Sequence, residues 1–268
     1  MSEPVSDTTT ERMPTMYISH GGGPCFFMDW DPPDAWDGLR AALEGIDASL
    51  PHPPSAVLVV SAHWETPDIA IESGEQPPLI YDYGGFPAHT YQLTYPAPGA
   101  PDLAQRTAAL LEQAGIAHHL ERRGWDHGVF VPLKVMYPEA RIPVLAMSVR
   151  QDLDPDAHLE LGRALAPLRD EGVLIVGSGS SFHNFSAFGS PRAIEFDDWL
   201  NHVMTLGDAD RRAALADWTS APAARVAHAR EEHLIPLMVV AGAADDVPAT
   251  AFFRGELMDT PMSCLRFD

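Results

Sequence analysis

Five histidines stand in short, distinctive settings. His20 opens Ser19-His20-Gly21-Gly22-Gly23-Pro24, and His63 lies in Ser61-Ala62-His63-Trp64-Glu65. His127 follows Gly124-Trp125-Asp126, and His183 ends the Gly/Ser-rich run Gly177-Ser178-Gly179-Ser180-Ser181-Phe182. His233 occurs in Glu231-Glu232-His233-Leu234-Ile235-Pro236-Leu237. Neutral imidazole is the commonest biological metal ligand and takes zinc, iron, copper or nickel. Two or three such rings brought together could hold one divalent ion and leave positions open, which a catalytic site needs. Imidazole also titrates near neutrality, so additional histidines beside a metal suit acid–base work. A single histidine at a strand end is more often a hydrogen-bonded structural residue, and the weight lies in the joint placement.

The glycines after His20 first suggest a phosphate loop. No Lys-Ser/Thr pair closes them and no G-x-G-x-x-G opens a helix there, so the P-loop and dinucleotide fingerprints both fail. The turn instead lets backbone pass close to a metal and its substrate without Cβ clashes.

Short apolar runs at 15–19, 56–62, 68–72, 143–149 and 173–177 read as strands buried on both faces. His20, His63 and His183 follow the first, second and fifth of these. In open α/β sheets, ligands bind outside the carboxyl ends of the strands. His127 precedes an apolar helix, and His233 falls on a late helix. Helical patterns cover 102–115, 155–171 with a break at Pro167, 191–206, 208–217 and 222–242, the last interrupted near Pro236. This alternation predicts an α/β fold, a single domain with a central mixed or mostly parallel sheet flanked by helices. The stretch 73–101 is rich in Pro, Gly and Tyr with no helical pattern, and reads as a lid or pocket wall. Residues 1–14 are polar and read as a flexible N-terminal tail, leaving 15–268 as the single catalytic domain.

The 268 residues are 46% hydrophobic, enough for one sizeable core. With 17 Lys and Arg against 38 Asp and Glu, the net charge of −21 argues against nucleic acid or an anionic membrane as partner. No apolar run approaches the roughly 20 residues that span a bilayer. Two distant cysteines, Cys25 and Cys264, make no disulfide framework and suit a reducing cytoplasm. Nothing in the sequence specifies an oligomeric state. Of the other histidines, His52, His118, His119, His158 and His202 read as exposed and without a role. His89 could face a substrate, and His228 reads as a helix-surface neighbour of the site.

Taken in order, SHGGGP, SAHWE, WDHGVFVPL, GSGSSFHN and EEHLIPL closely resemble the 4,5-DOPA extradiol dioxygenase family, within the class III, protocatechuate 4,5-dioxygenase-like ring-cleaving enzymes. The resemblance runs from about residue 15 to residue 243. It implies one α/β domain holding one non-haem divalent metal, Fe(II) for activity and often Zn(II) in isolated members. By motif position, His20 and His63 would be metal ligands, and His233 would take the place of a glutamate in protocatechuate-type relatives. His183 would be the acid/base residue, counted as a ligand in some members, and His127 would face the substrate. The implied reaction inserts O2 into a catechol-type aromatic, DOPA- or caffeate-like, beside its hydroxyls.

Fe(II) oxygenases usually present two histidines and one carboxylate. Glu232 is the alternative to His233, and adjacent helix residues point about 100° apart, so only one of them could face the ion. Trp30, Trp64, Tyr81, Tyr83 and Phe182 are candidate aromatic walls. From the residues alone, two other readings stand: a zinc-dependent hydrolase using the same cluster, and a non-catalytic metal-binding protein. His127 and His183, in addition to three ligands, weigh against the latter.

Overall fold

Four of the apolar runs become adjacent parallel strands at the centre of one sheet. The computed structural model describes residues 11–268. Its strands are β1 (Thr15–Ser19), β2 (Ala56–Thr66), β3 (Ile69–Glu72), β4 (His118–Glu121), β5 (Val144–Arg150), β6 (Val173–Gly179), β7 (Ala249–Leu257) and β8 (Thr260–Phe267). They form an eight-stranded sheet in the order β4-β3-β5-β2-β6-β1-β8-β7. The β5-β2-β6-β1 core is parallel. An antiparallel β8-β7 pair extends one edge, and β3, antiparallel to β5, extends the other with β4 alongside. The sheet is therefore mixed, as expected, with its buried parallel strands reading as continuous apolar runs.

Helices of at least eight residues flank it: α1 (Asp37–Glu44), α2 (Pro101–Gln113), α3 (His127–Met136), α4 (Pro155–Leu165), α5 (Ala193–Met204), α6 (Asp208–Ala216) and α7 (Ile235–Gly242). Pro167 ends α4 as anticipated, and the chain continues as a separate single turn, Pro167–Asp170. The helix expected at 222–242 is two pieces. A single turn, Ala224–Ala227, is followed by an irregular stretch, and only then by α7, with Pro236 in its first turn. Proline lacks the N–H that a first turn leaves unpaired, so Pro236 starts this helix rather than interrupting one. Consequently His233 lies in the turn ahead of α7 and not on a helix. Every residue of α7 is buried, which fits a helix that is apolar all round.

Three strands escaped the sequence reading. The β4 segment, His-His-Leu-Glu, is a polar edge strand. The β7–β8 hairpin turns through Met258 and Asp259, both at positive φ (50° and 57°), without the Asn-Gly or Asp-Gly pair that usually marks such a turn. Of the expected tail, residues 1–10 lie outside the described residues. The last part is packed: Met13 is buried, and its carbonyl accepts from Arg169 Nε at 2.7 Å. Ordered chain thus begins before Thr15.

Candidate metal centre and active site

His20 leaves β1 with its amide donating to Gly179 O on the neighbouring strand. Its ring is buried, with Nδ1 3.0 Å from Ser178 Oγ. Ser178 spends its own hydrogen on Gly128 O, so its oxygen accepts from His20 Nδ1–H. The lone pair of His20 is therefore on Nε2. Gly21 and Gly23 turn the chain away at φ of +82° and +54°, a conformation that favours glycine.

His63 sits inside β2, where the register against β5 shifts between Val60 and Glu65. The irregularity turns its ring out of the sheet toward His20. Arg123, whose guanidinium lies over the Trp64 indole, donates to His63 O and pairs with the buried Asp126. That network fixes the bulge.

His233 is fixed through its backbone. Its carbonyl accepts from Tyr17 Oη at 2.6 Å and from Ser180 N at 3.1 Å. Gly179 permits the approach, since a Cβ there would come 2.1 Å from His233 O. The ring Nδ1 is 3.0 Å from Glu232 Oε1. An ionised carboxylate only accepts, so Nδ1 carries the hydrogen and Nε2 again holds the lone pair.

These three rings meet at Nε2. His63 Nε2 is 3.0 Å from His20 Nε2 and 3.3 Å from His233 Nε2. With Nδ1 of His20 and His233 committed as donors, two bare lone pairs point at the Nε2 of His63. One cation placed among the three nitrogens would satisfy all of these lone pairs. Nitrogen ligands on a tetrahedral zinc with bonds of 2.0–2.1 Å sit about 3.3 Å apart, so the spacing fits a single ion. Burial, followed by the neighbouring histidines, lowers the pKa of His20 and drives that of His63 down to about 4. Burial likewise lowers His233, against its hydrogen bond to Glu232. The rings are neutral at pH 7 and ready to bind.

The other two histidines flank this trio. His127 begins α3, and both its backbone N and its Nδ1 donate to Asp82 Oδ1, at 2.9 and 2.8 Å. Its ring centroid is 4.0 Å from that of His63. His183 stacks on His233, with centroids 3.4 Å apart and planes 17° from parallel, and its Nδ1 also donates to Glu232 Oε1 at 3.0 Å. The shared acceptor and the stack present both Nε2 edges in the same sense. Burial would raise the Glu232 carboxyl, but the hydrogen bonds from His183 and His233 hold it well below the usual carboxylate range. His20, His63 and His127 form one grouping with metal-ligand spacing, and His183, Glu232 and His233 another. All five expected histidines are thus brought together.

They open onto one cavity of about 450 Å³. Trp30, Tyr83 and Phe182 line it as anticipated. Trp64 does not, being buried beneath Arg123, and Tyr81 instead donates to Leu93 O. Tyr83, Gly84 and Phe86 bring the irregular segment 73–101 into the wall. His89 is turned away, toward Phe27 O. Four assignments are corrected: His52 and His118 are half-buried rather than exposed, with His118 on β4, and two further histidines are fully buried. His228 is not at a helix surface but fully buried, with Nε2 3.0 Å from Ser181 O. His158 is not exposed: it is fully buried, its Nε2 accepts from Arg150 N, and its Nδ1 lies 2.7 Å from Asp154 O, welding the β5–α4 turn.

Asp82, Ser178 and Tyr17 were missed as supports of the site, and Glu232 was weighed only as a ligand. Asp82 lay inside the segment marked as functional, but nothing local distinguishes it. Tyr17 and Ser178 look like ordinary strand residues until their partners are seen.

A mixed α/β sheet that gathers imidazoles near the carboxyl ends of its parallel strands, beside an aromatic-walled cavity, has the geometry of a site for one metal ion and a small ligand. The family described as the catalytic LigB subunit of aromatic ring-opening dioxygenase matches residues 14–259, and this chain belongs to it. The chain is 42% identical over 240 residues to 4,5-DOPA dioxygenase extradiol of Beta vulgaris, covering 87% of each chain. It is 34% identical over 244 residues to the Escherichia coli K12 protein of that name, covering 88% of this chain and 87% of that one. A crystal structure of an uncharacterized E. coli K12 protein superposes with a TM-score of 0.78 at 30% identity, covering 96% of this chain and all of the other. The membership agrees with the resemblance carried by the five histidine motifs. The chain is an extradiol ring-opening dioxygenase, and neither the hydrolase reading nor the non-catalytic one is favoured. No helix among the described residues is long and apolar enough to cross a membrane.

Proposed function

We propose that the cavity takes a catechol beside a divalent metal held by Nε2 of His20, His63 and His233, with Fe(II) the ion for turnover and Zn(II) an inactive occupant. The ring opens next to its paired hydroxyls, and both atoms of O2 enter the product. The observation that carries this reading is the meeting of three Nε2 atoms, two of whose rings have Nδ1 committed as a donor. The bound metal supplies Lewis acidity and a template on which ring and O2 meet.

The rest of the work belongs to the chain. His183 accepts a catechol hydroxyl proton at Nε2, and the ionised Glu232 on its Nδ1 stabilises the imidazolium. The same ring returns the proton to oxygen as the ring opens. His127, held by Asp82, hydrogen-bonds the substrate's second oxygen through Nε2. Its near-complete burial keeps water from competing. DOPA, the substrate in the names of the plant and bacterial relatives, and caffeate are the natural first tests. Both cysteines are free and buried, which suits a reducing cytoplasm.

The test is anaerobic loading with Fe(II), addition of a catechol panel, then admission of air. Oxygen uptake with a yellow ring-opened chromophore is expected, and no turnover with zinc. His20→Ala should lose the metal. His183→Ala should keep most of it while turnover falls by about 10²–10⁴-fold. Metal loss in His183→Ala would make that residue a ligand, and silence across the whole panel would refute the dioxygenase assignment for this chain.

A further inference from the structure

The cavity beside the histidines has a property that ring opening does not demand. Its volume of about 450 Å³ falls in the range of sites that enclose a drug-sized ligand, so a catechol at the imidazoles leaves room for a sizeable substituent. Apart from the histidines, its described lining contains no Lys, Arg, Asp or Glu. Trp30 and Trp36 pack together with centroids 5.4 Å apart, and Phe185 and Phe188 do so at 5.5 Å. Phe185 is 69% exposed and Met258 48%, so large apolar side chains stand at the cavity's edge where water-facing polar groups would be ordinary.

The charged groups nearest the histidines are already engaged. Asp82 serves His127, Glu232 serves His183 and His233, and Arg230 closes on Glu65 at 2.6 Å. Among the lining residues a substrate carboxylate finds no cationic side chain to pair with, so desolvating it against these walls opposes its binding. The net charge of −21 further opposes an anionic substrate.

We propose that the preferred substrates are catechols with an uncharged, apolar substituent, and that the rim of Phe185, Phe188 and Met258 selects them over catechols carrying a carboxylate or an amino-acid side chain. This specificity rests on the ring-opening function proposed above, and it separates this chain from its relatives named for DOPA. Each methylene buried against the rim contributes about fourfold to affinity.

The Fe(II)-loaded enzyme is assayed with 4-methyl-, 4-ethyl- and 4-propylcatechol, caffeate and L-DOPA, and binding of the same compounds is measured anaerobically by calorimetry. The expected result is a rise of about fourfold per methylene in kcat/KM and in affinity, with propylcatechol at least about tenfold above caffeate and L-DOPA. Phe185→Arg, at a largely exposed position, should raise kcat/KM for caffeate by about fivefold and lower it for propylcatechol. Equal use of all five compounds, or preference for caffeate or L-DOPA, overturns the proposal while leaving the ring-opening function intact. The amides of Gly21–Gly23 would then be the partners to examine. If no catechol turns over, the ring-opening function falls and the binding series alone decides the preference.

Discussion

Glu232 Oε1 lies 3.0 Å from Nδ1 of His233, and the same oxygen lies 3.0 Å from Nδ1 of His183. One carboxylate thereby fixes the tautomer of two stacked imidazoles, one in the metal-binding trio and one beside it. Such a partner raises ligand basicity and orients the ring. Glu232→Gln should fold normally and lower metal affinity about 10–100-fold, measured by chelator competition. Unchanged affinity would show that the carboxylate does not tune the centre, and complete loss of metal would make Glu232 itself a ligand.

Asp82 serves the other flank. It accepts from His127 N and Nδ1, and its second oxygen is 3.6 Å from His63 Nδ1. Burial raises its carboxyl, but His127, foremost through its side-chain hydrogen bond, brings the balance below the ordinary value. Asp82→Asn keeps the shape and removes the charge. With His127 free to change tautomer, kcat should fall about 10–100-fold while the metal content stays near that of the unaltered enzyme. A change in KM alone would assign Asp82 to substrate binding.

Much of this was legible in the chain because the two signals involved are local. The β5-β2-β6-β1 core reads as apolar runs, and the five histidines occur at their ends or in Gly-rich turns. What escaped depends on distant partners or on exposure. The strand β4 is polar because it is an edge, and the β7–β8 turn takes positive φ at Met258 and Asp259 without a glycine. His158 looks like a helix-surface residue until Arg150 N and Asp154 O are seen to occupy both its nitrogens. The pairing of Glu232 with two histidines 49 and 1 residues away has no sequence signature, and placing His233 on a helix concealed it.

Gly179 offers a test of how strictly the backbone sets the metal site. A methyl group there would lie 2.1 Å from His233 O, and the atom it meets is backbone, which cannot swing aside. Gly179→Ala should therefore push the 231–234 turn off β6, breaking the Tyr17 hydroxyl contact. A destabilisation of about 1–3 kcal/mol is expected by urea denaturation, together with weaker metal binding. Gly84→Ala, at a position where an added Cβ meets nothing within 4 Å, is the control for a glycine loss without a clash. Equal behaviour of the two variants would refute the close-packing argument.

Acid should weaken the fold through His228. Complete burial, only partly offset by the bond to Ser181 O, drives its pKa from the ordinary imidazole value of 6.5 down to about 3. Between these values the unfolded chain binds a proton that the folded protein refuses. The contribution of His228 to stability is thus full above pH 6.5. It falls by about 1.4 kcal/mol per pH unit as the pH drops below that, and levels off only beneath about 3. His228→Gln retains an N–H donor for Ser181 O and cannot titrate. Urea denaturation of the metal-free protein at pH 7.5, 6.0 and 5.0 should show a slope shallower by one proton in the variant. Parallel slopes would mean that His228 is already protonated in the fold or equally shielded when unfolded, and would remove it as a source of acid sensitivity.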